Sequence, residues 1–170
     1  PSDDLVGRYR AAATIVQETL ASLDPDEHCW TLLDDEVPAE VPRVGTRRFW
    51  HRRQKLETLV HLWDLRTAGG LDTDASDAEW LDCLDEVLDV MQPRQLRLGR
   101  IAPPPVRLRL EPTGADAREG LAADQDAPLV TVRGSAKQLA LLVWGRADAA
   151  DLDREGSIEQ IAAALLNAVP

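Results

Sequence analysis

Three consecutive prolines, Pro103-Pro104-Pro105, divide this 170-residue chain into halves that follow different folding rules. Proline fixes φ and lacks the amide hydrogen, so no helix runs through them, and an extended connector is predicted from Pro93 to Pro105. Before the prolines, apolar residues recur every three or four positions. After them they alternate. The expected architecture is therefore α+β: a helical domain over 1–92, a linker over 93–105, and a small α+β domain over 106–170 with a mainly antiparallel sheet.

In the first half, Leu5, Tyr9, Ala12, Ile15, Val16, Thr19, Leu20 and Leu23 mark an amphipathic helix capped by Ser2 and stopped at Asp24-Pro25. Residues 25–45 lack a sustained period and read as an ordered surface loop, pinned by Trp30. A longer helix begins after Thr46 and ends at Gly69-Gly70, where glycine supplies the left-handed C-terminal residue. Ser76 and Glu79 form a capping box for a third helix carrying Trp80, Leu84, Val87, Leu88 and Met91. Three such helices read as part of an antiparallel bundle. In the second half, residues 106–110 and 129–133 alternate as strands, and a further short strand can hide between Pro112 and Pro128. Ser135 caps a helix running to about Trp144. Ser157 and Gln160 box another through Ala168.

Composition narrows the function. The net charge of −11, from 19 basic and 30 acidic residues, argues against a nucleic-acid partner, which needs clustered Lys and Arg. No apolar run spans a membrane and no signal segment is present, so the cytoplasm is the expected location. Two basic islands, Arg43 to Arg66 and Arg94 to Arg109, read as solvated faces or as partners for the acidic remainder. Cys29 and Cys83 lack a disulfide or zinc pattern. Of the basic residues, 17 are Arg, a composition that suits a GC-rich bacterial genome.

The helix after Thr46 carries the chemistry. At 3.6 residues per turn, Phe49, Leu56, Val60 and Trp63 form the apolar stripe, and Trp50, Arg53, Glu57, His61 and Asp64 border it. His51 falls on another side, toward solvent. Glu57 and His61, one turn apart, can both ligate a divalent metal, or form an ordinary helix-surface pair with Arg53 and Asp64 beside them. A third donor must come from elsewhere, and His28 is the weak local candidate.

The run from Phe49 to Asp64, FWHRRQKLETLVHLWD, resembles the signature helix of the mycothiol-dependent maleylpyruvate isomerase family. Leu110 to Gly114, Val132 to Ala136, Leu139 to Leu142 and Trp144-Gly145-Arg146 resemble that family's C-terminal domain, which is similar in fold to sterol-carrier proteins. The resemblance implies a DinB-like helical domain holding a divalent metal, usually zinc, with mycothiol as cosubstrate and a small electrophile as substrate. It assigns Glu57 and His61 as metal ligands and Arg146 as the catalytic arginine binding substrate carboxylate. In the family the third ligand is a His on an earlier helix. The chain is accordingly read as N-terminally shortened, with weak or absent metal as the expectation. Two alternatives accompany this reading. One is a binding module whose apolar tunnel is lined by Leu139, Leu141, Leu142, Val143, Trp144, Ile161, Leu165 and Leu166; the other is a homodimer in which a second chain replaces the lost helix. Arg146 can otherwise serve as a helix-terminal cation paired with Asp148 or Asp151.

Overall fold

A computed structural model describes residues 4–34, 44–120, 124 and 126–169. The chain divides into two compact units, one up to Glu57 and one from Thr58 onward.

The first unit contains α1 (Leu5–Ser22) and the start of α2 (Arg47–Ala68). The N-cap of α1 is Asp4, whose carboxylate accepts the Gly7 amide at 3.1 Å; Ser2, the expected cap, lies outside the described residues. Spacing correctly indicates a helix here, yet no residue of α1 is buried, and Leu5, Tyr9 and Ile15 are all more than 60% exposed. Order in this unit comes instead from the chain leading into α2. Trp50 donates its indole N–H to the Trp30 carbonyl at 3.0 Å and the two rings lie 5.9 Å apart, so Trp30 does pin its loop.

Close by in sequence, a turn at Leu32–Asp34 buries the Asp34 carboxylate, which accepts from Thr31 N, Thr31 Oγ1 and Val44 N at 2.9 to 3.0 Å. Burial pushes the Asp34 carboxyl up. The hydrogen bonds from Thr31, Val44 and Gly45 outweigh that, and the group ends below its ordinary range. The middle of the expected loop, residues 35–43, lies outside the described residues.

The second unit carries the apolar core. The rest of α2 ends where Gly70 adopts φ 69°, with Leu71 N bonded to the Arg66 carbonyl at 2.8 Å. Ser76 and Glu79 form the expected capping box for α3 (Asp77–Glu86). The helix then widens into a π turn at Val87–Met91 and continues as α4 (Gln92–Arg97). The prediction of an extended connector from Pro93 onward therefore fails for its first turn. Pro93 lies just after the π turn, in the first turn of α4, and the helix runs on to Arg97.

Strands β1 (Arg107–Pro112), β2 (Arg118–Glu119), β3 (Leu129–Gly134) and β4 (Asp153–Glu155) form one sheet in the order β2-β1-β3-β4. The central β1–β3 pair is parallel, Leu108 opposite Val130 and Leu110 opposite Val132, and the two outer pairs are antiparallel. The sheet is thus mixed: its two outer pairings are antiparallel, as expected of the sheet as a whole, and its longest, central pairing is parallel. Alternation buries Leu108, Leu110 and Pro112, as period two requires. Two helices complete the unit: α5 (Ala136–Val143) and α6 (Ile158–Leu165), each opened by a serine capping box. Helix α5 packs on α3 and on the sheet, and Trp144 donates its indole N–H to the Cys83 carbonyl at 3.0 Å. Neither cysteine is in a disulfide.

Among the described residues no helix is long and apolar enough to cross a membrane.

Candidate functional site

Helix α2 places Glu57 and His61 one turn apart, as their spacing requires. Each is engaged by a neighbour on the same helix. Glu57 forms an ion pair with Arg53, whose side chain is 12% exposed. His61 Nδ1 lies 3.1 Å from Asp64 Oδ2. The imidazole is 61% exposed, so His61 does not face an interior.

Asp64 is the centre of the arrangement. Beyond His61 it accepts from Arg146 Nε at 3.3 Å and from Nη2 at 3.1 Å. Arg146 follows Gly145, whose φ of 71° turns the chain sharply after α5, and its Nη1 donates to the Trp144 carbonyl at 2.6 Å. The Arg146 hydrogen bonds hold the Asp64 carboxyl below its ordinary range, against partial burial that pushes it up; His61 acts in the same direction as Arg146. The alternative pairing of Arg146 with Asp148 or Asp151 is replaced by this one. Asp148 instead caps a short turn, accepting from Ala150 N at 2.8 Å.

A guanidinium carries five N–H bonds. Those to Asp64 and Trp144 use three, and the other two have no protein acceptor among the described residues. Arg146 also borders a groove of about 320 Å³ lined by the end of α5, the following turn and α6. Of the residues named for a tunnel, Leu142, Ile161 and Leu165 line this groove. Leu139, Leu141, Val143 and Trp144 are packed in the core, and Leu166 is 66% exposed.

The donors present suit a divalent cation in kind. Metal-bound histidines commonly donate the second ring N–H to a carboxylate, and Asp64 is placed to fix that tautomer, directing the lone pair to Nε2. In number they fall short: among the described residues no three His, Cys, Asp or Glu side chains converge on one point. His28 is exposed and bridges to Thr46 through its backbone. His51 is not turned to solvent as its helical position suggested. It is half-buried, with a buried Nε2 that lacks a hydrogen-bond partner.

The basic islands resolve largely into pairs. Arg47 meets Glu27 at 2.5 Å, Arg48 meets Asp26 at 2.7 Å, and Arg109 bonds both Glu111 and Glu119. Sequence reasoning missed Asp64 as the residue joining the two motifs. Its one local signal was an acid three positions after His61.

A family model described as the mycothiol maleylpyruvate isomerase N-terminal domain matches residues 1–66, and one described as the MDMPI C-terminal domain matches residues 81–164. The first span contains Glu57, His61 and Asp64, and the second contains Arg146. No curated protein and no solved structure matches the chain.

Proposed function

The chain belongs to the mycothiol maleylpyruvate isomerase family, and from that premise we propose that it is a mycothiol-dependent isomerase or thiol transferase acting on a small electrophilic carboxylate. The observation that carries this reading is the Asp64 bridge. One carboxylate engages His61 of the first motif and Arg146 of the second, so an imidazole and an anion-binding guanidinium are held as a unit.

Arg146 is the residue that binds the substrate. Its two N–H groups without a protein acceptor take the carboxylate, while Asp64 and the Trp144 carbonyl keep the guanidinium in one orientation. Asp64 is a positioning residue, acting through Arg146 and His61. Glu57 and His61 are the residues that would hold a divalent metal, whose contribution would be to lower a thiol's pKa so that thiolate is present at neutral pH.

For an isomerase, the mycothiol sulfur forms a bond to the β-carbon of a cis-enone carboxylate, and the π electrons move to the carbonyl oxygen. Rotation about the resulting single bond follows. The electrons then return, the C–S bond breaks, and thiolate leaves the trans isomer with no net proton change. A transferase stops at the adduct after protonation of carbon.

The test is to incubate the chain with mycothiol and maleylpyruvate and follow the loss of the cis isomer spectroscopically. Isomerisation or adduct formation that requires mycothiol and drops at least tenfold in Arg146→Gln is the expected result. Turnover indifferent to mycothiol, or unaltered in that variant, overturns the proposal.

A further inference from the structure

We infer that Trp144 is a positioning residue for the carboxylate site: its indole face holds the Arg146 guanidinium, and the substrate feels the ring only through that cation. The inference rests on the reading of Arg146 as the carboxylate-binding residue and names what else keeps that residue in place.

The helix end that delivers both side chains is built from backbone bonds. Gly145 N donates to the Leu142 carbonyl at 2.9 Å and Arg146 N to the Leu141 carbonyl at 2.7 Å, the paired bonds of a Schellman turn, with Gly145 at φ 71°. In that motif the residue after the glycine commonly carries an apolar side chain that packs back on the helix. Here it is an arginine. Its side chain bonds Asp64 and the Trp144 carbonyl, and its Cζ lies over the Trp144 ring, 5.9 Å from the centroid.

The ring is itself tied down. Trp144 is 6% exposed and its indole N–H donates to the Cys83 carbonyl of α3 at 3.0 Å, so the polar edge of the ring is anchored while its face meets the guanidinium. Hydrogen bonds and ring restrain the cation differently. Each N–H bond acts along one edge of the planar guanidinium. The negative face of the indole attracts the charge as a whole, and for a partly exposed cation such a contact favours the held orientation by about two- to fivefold. Of the two N–H groups left for a carboxylate, one is on Nη1 and one on Nη2, and both keep their direction only while the cation does not swing.

The experiment places tryptophan and mono-, di- and trifluorotryptophan in turn at position 144 of the full chain by nonsense suppression. Fluorine withdraws electron density from the ring face and leaves the ring shape and its N–H in place, so the packing of Trp144 is kept. Maleylpyruvate is titrated without mycothiol, and the Arg146 Nε–H is followed by NMR for its shift and its ¹⁵N order parameter. Affinity is expected to fall stepwise along the series, by about two- to fivefold in total, and the Arg146 order parameter in the ligand-free protein to fall in the same sequence. Equal affinity across the series, with maleylpyruvate still shifting the Arg146 signal, overturns the inference and leaves the carboxylate reading of Arg146 standing. Affinity that falls while Arg146 stays equally ordered also overturns it, because the ring would then act on the ligand directly. If maleylpyruvate does not shift the Arg146 signal of the unsubstituted chain, the reading under the proposed function falls, and this one with it.

Discussion

The two units of the chain are held together by different physics. Among the described residues, Leu56 is the one buried apolar side chain before Thr58; the remainder of the core, from Val60 and Trp80 to Ile161, lies after it. The first unit instead owes its internal order to directed polar bonds: the buried Asp34 carboxylate, the Trp50 indole on the Trp30 carbonyl, and the Arg47–Glu27 and Arg48–Asp26 pairs. Compare α1 with α5. Both have apolar residues at helical spacing, yet α1 buries none of its 18 residues and α5 buries six of its eight. Periodicity establishes that a helix can form and which face is apolar. Whether that face meets a partner depends on the rest of the fold.

The contrast can be tested at its strongest point first. Leu110→Ala, at a fully buried position of the central strand, is expected to cost about 2–5 kcal/mol in urea denaturation. Ile15→Ala on α1 should change stability by less than about 0.5 kcal/mol. A large cost at Ile15 would mean that its face is covered in solution, and the contrast would break there.

The next effect belongs to the first unit. A Cβ at Gly45 would stand 2.2 Å from Thr31 Oγ1 and 2.6 Å from Asp34 Oδ2. Both atoms are buried and hydrogen-bonded, so Gly45→Ala should cost roughly 1–3 kcal/mol. Hydrogen exchange would show it as faster exchange at Thr31 and Val44, with the amides of β1 and β3 unaffected.

Acid should act on the same carboxylate more gently. The Asp34 pKa is lowered in the folded state, so its contribution to stability is complete above the ordinary value of 3.8 and is lost as pH falls through the lower folded value. An acid titration of the Val44 and Thr31 amide shifts would follow it. Asp34→Asn should abolish that transition, and a transition that persists would assign it to another group.

The smallest global effect and the most local one is expected at Asp64. Its pair with Arg146 is partly exposed, so Asp64→Asn should cost no more than about 1 kcal/mol. In ¹⁵N spectra of His61 the population protonated at Nδ1 should nevertheless fall, because the acceptor for that proton is weakened. An unchanged tautomer would remove Asp64 from its positioning role.

Features decided within a few residues were legible in the sequence. The boxes at Ser76 and Ser157 and the left-handed Gly70 follow from side chains that bond to backbone three positions away or from a missing Cβ. Strands β1 and β3 announced themselves by alternation. Strand β4 did not, because Asp153-Arg154-Glu155 contains no apolar residue; Arg133 pairs with Asp153 and Glu155 across the strands. In the candidate site, Glu57, His61 and Arg146 were legible as residues, and their relation was not. Asp64 and Arg146 are 82 positions apart, and no local spacing encodes their contact. The exposure of His61 and the half-burial of His51 were hidden for the same reason: helical phase gives a direction, while burial depends on what lies in that direction.

The π turn at Val87–Met91 makes the third helix unusually sensitive to length. Gln92 N reaches back to the Val87 carbonyl, a span one residue wider than a regular turn, and the side chain of Gln92 bonds the Ala164 carbonyl at 2.9 Å. Deleting a single residue from this segment would leave a smooth helix by every local measure. It would also swing Gln92 and Gln95, both buried, about 100° around the axis and away from their present surroundings. Insertions and deletions here are therefore expected to be tolerated poorly, even where substitutions of similar volume are accepted.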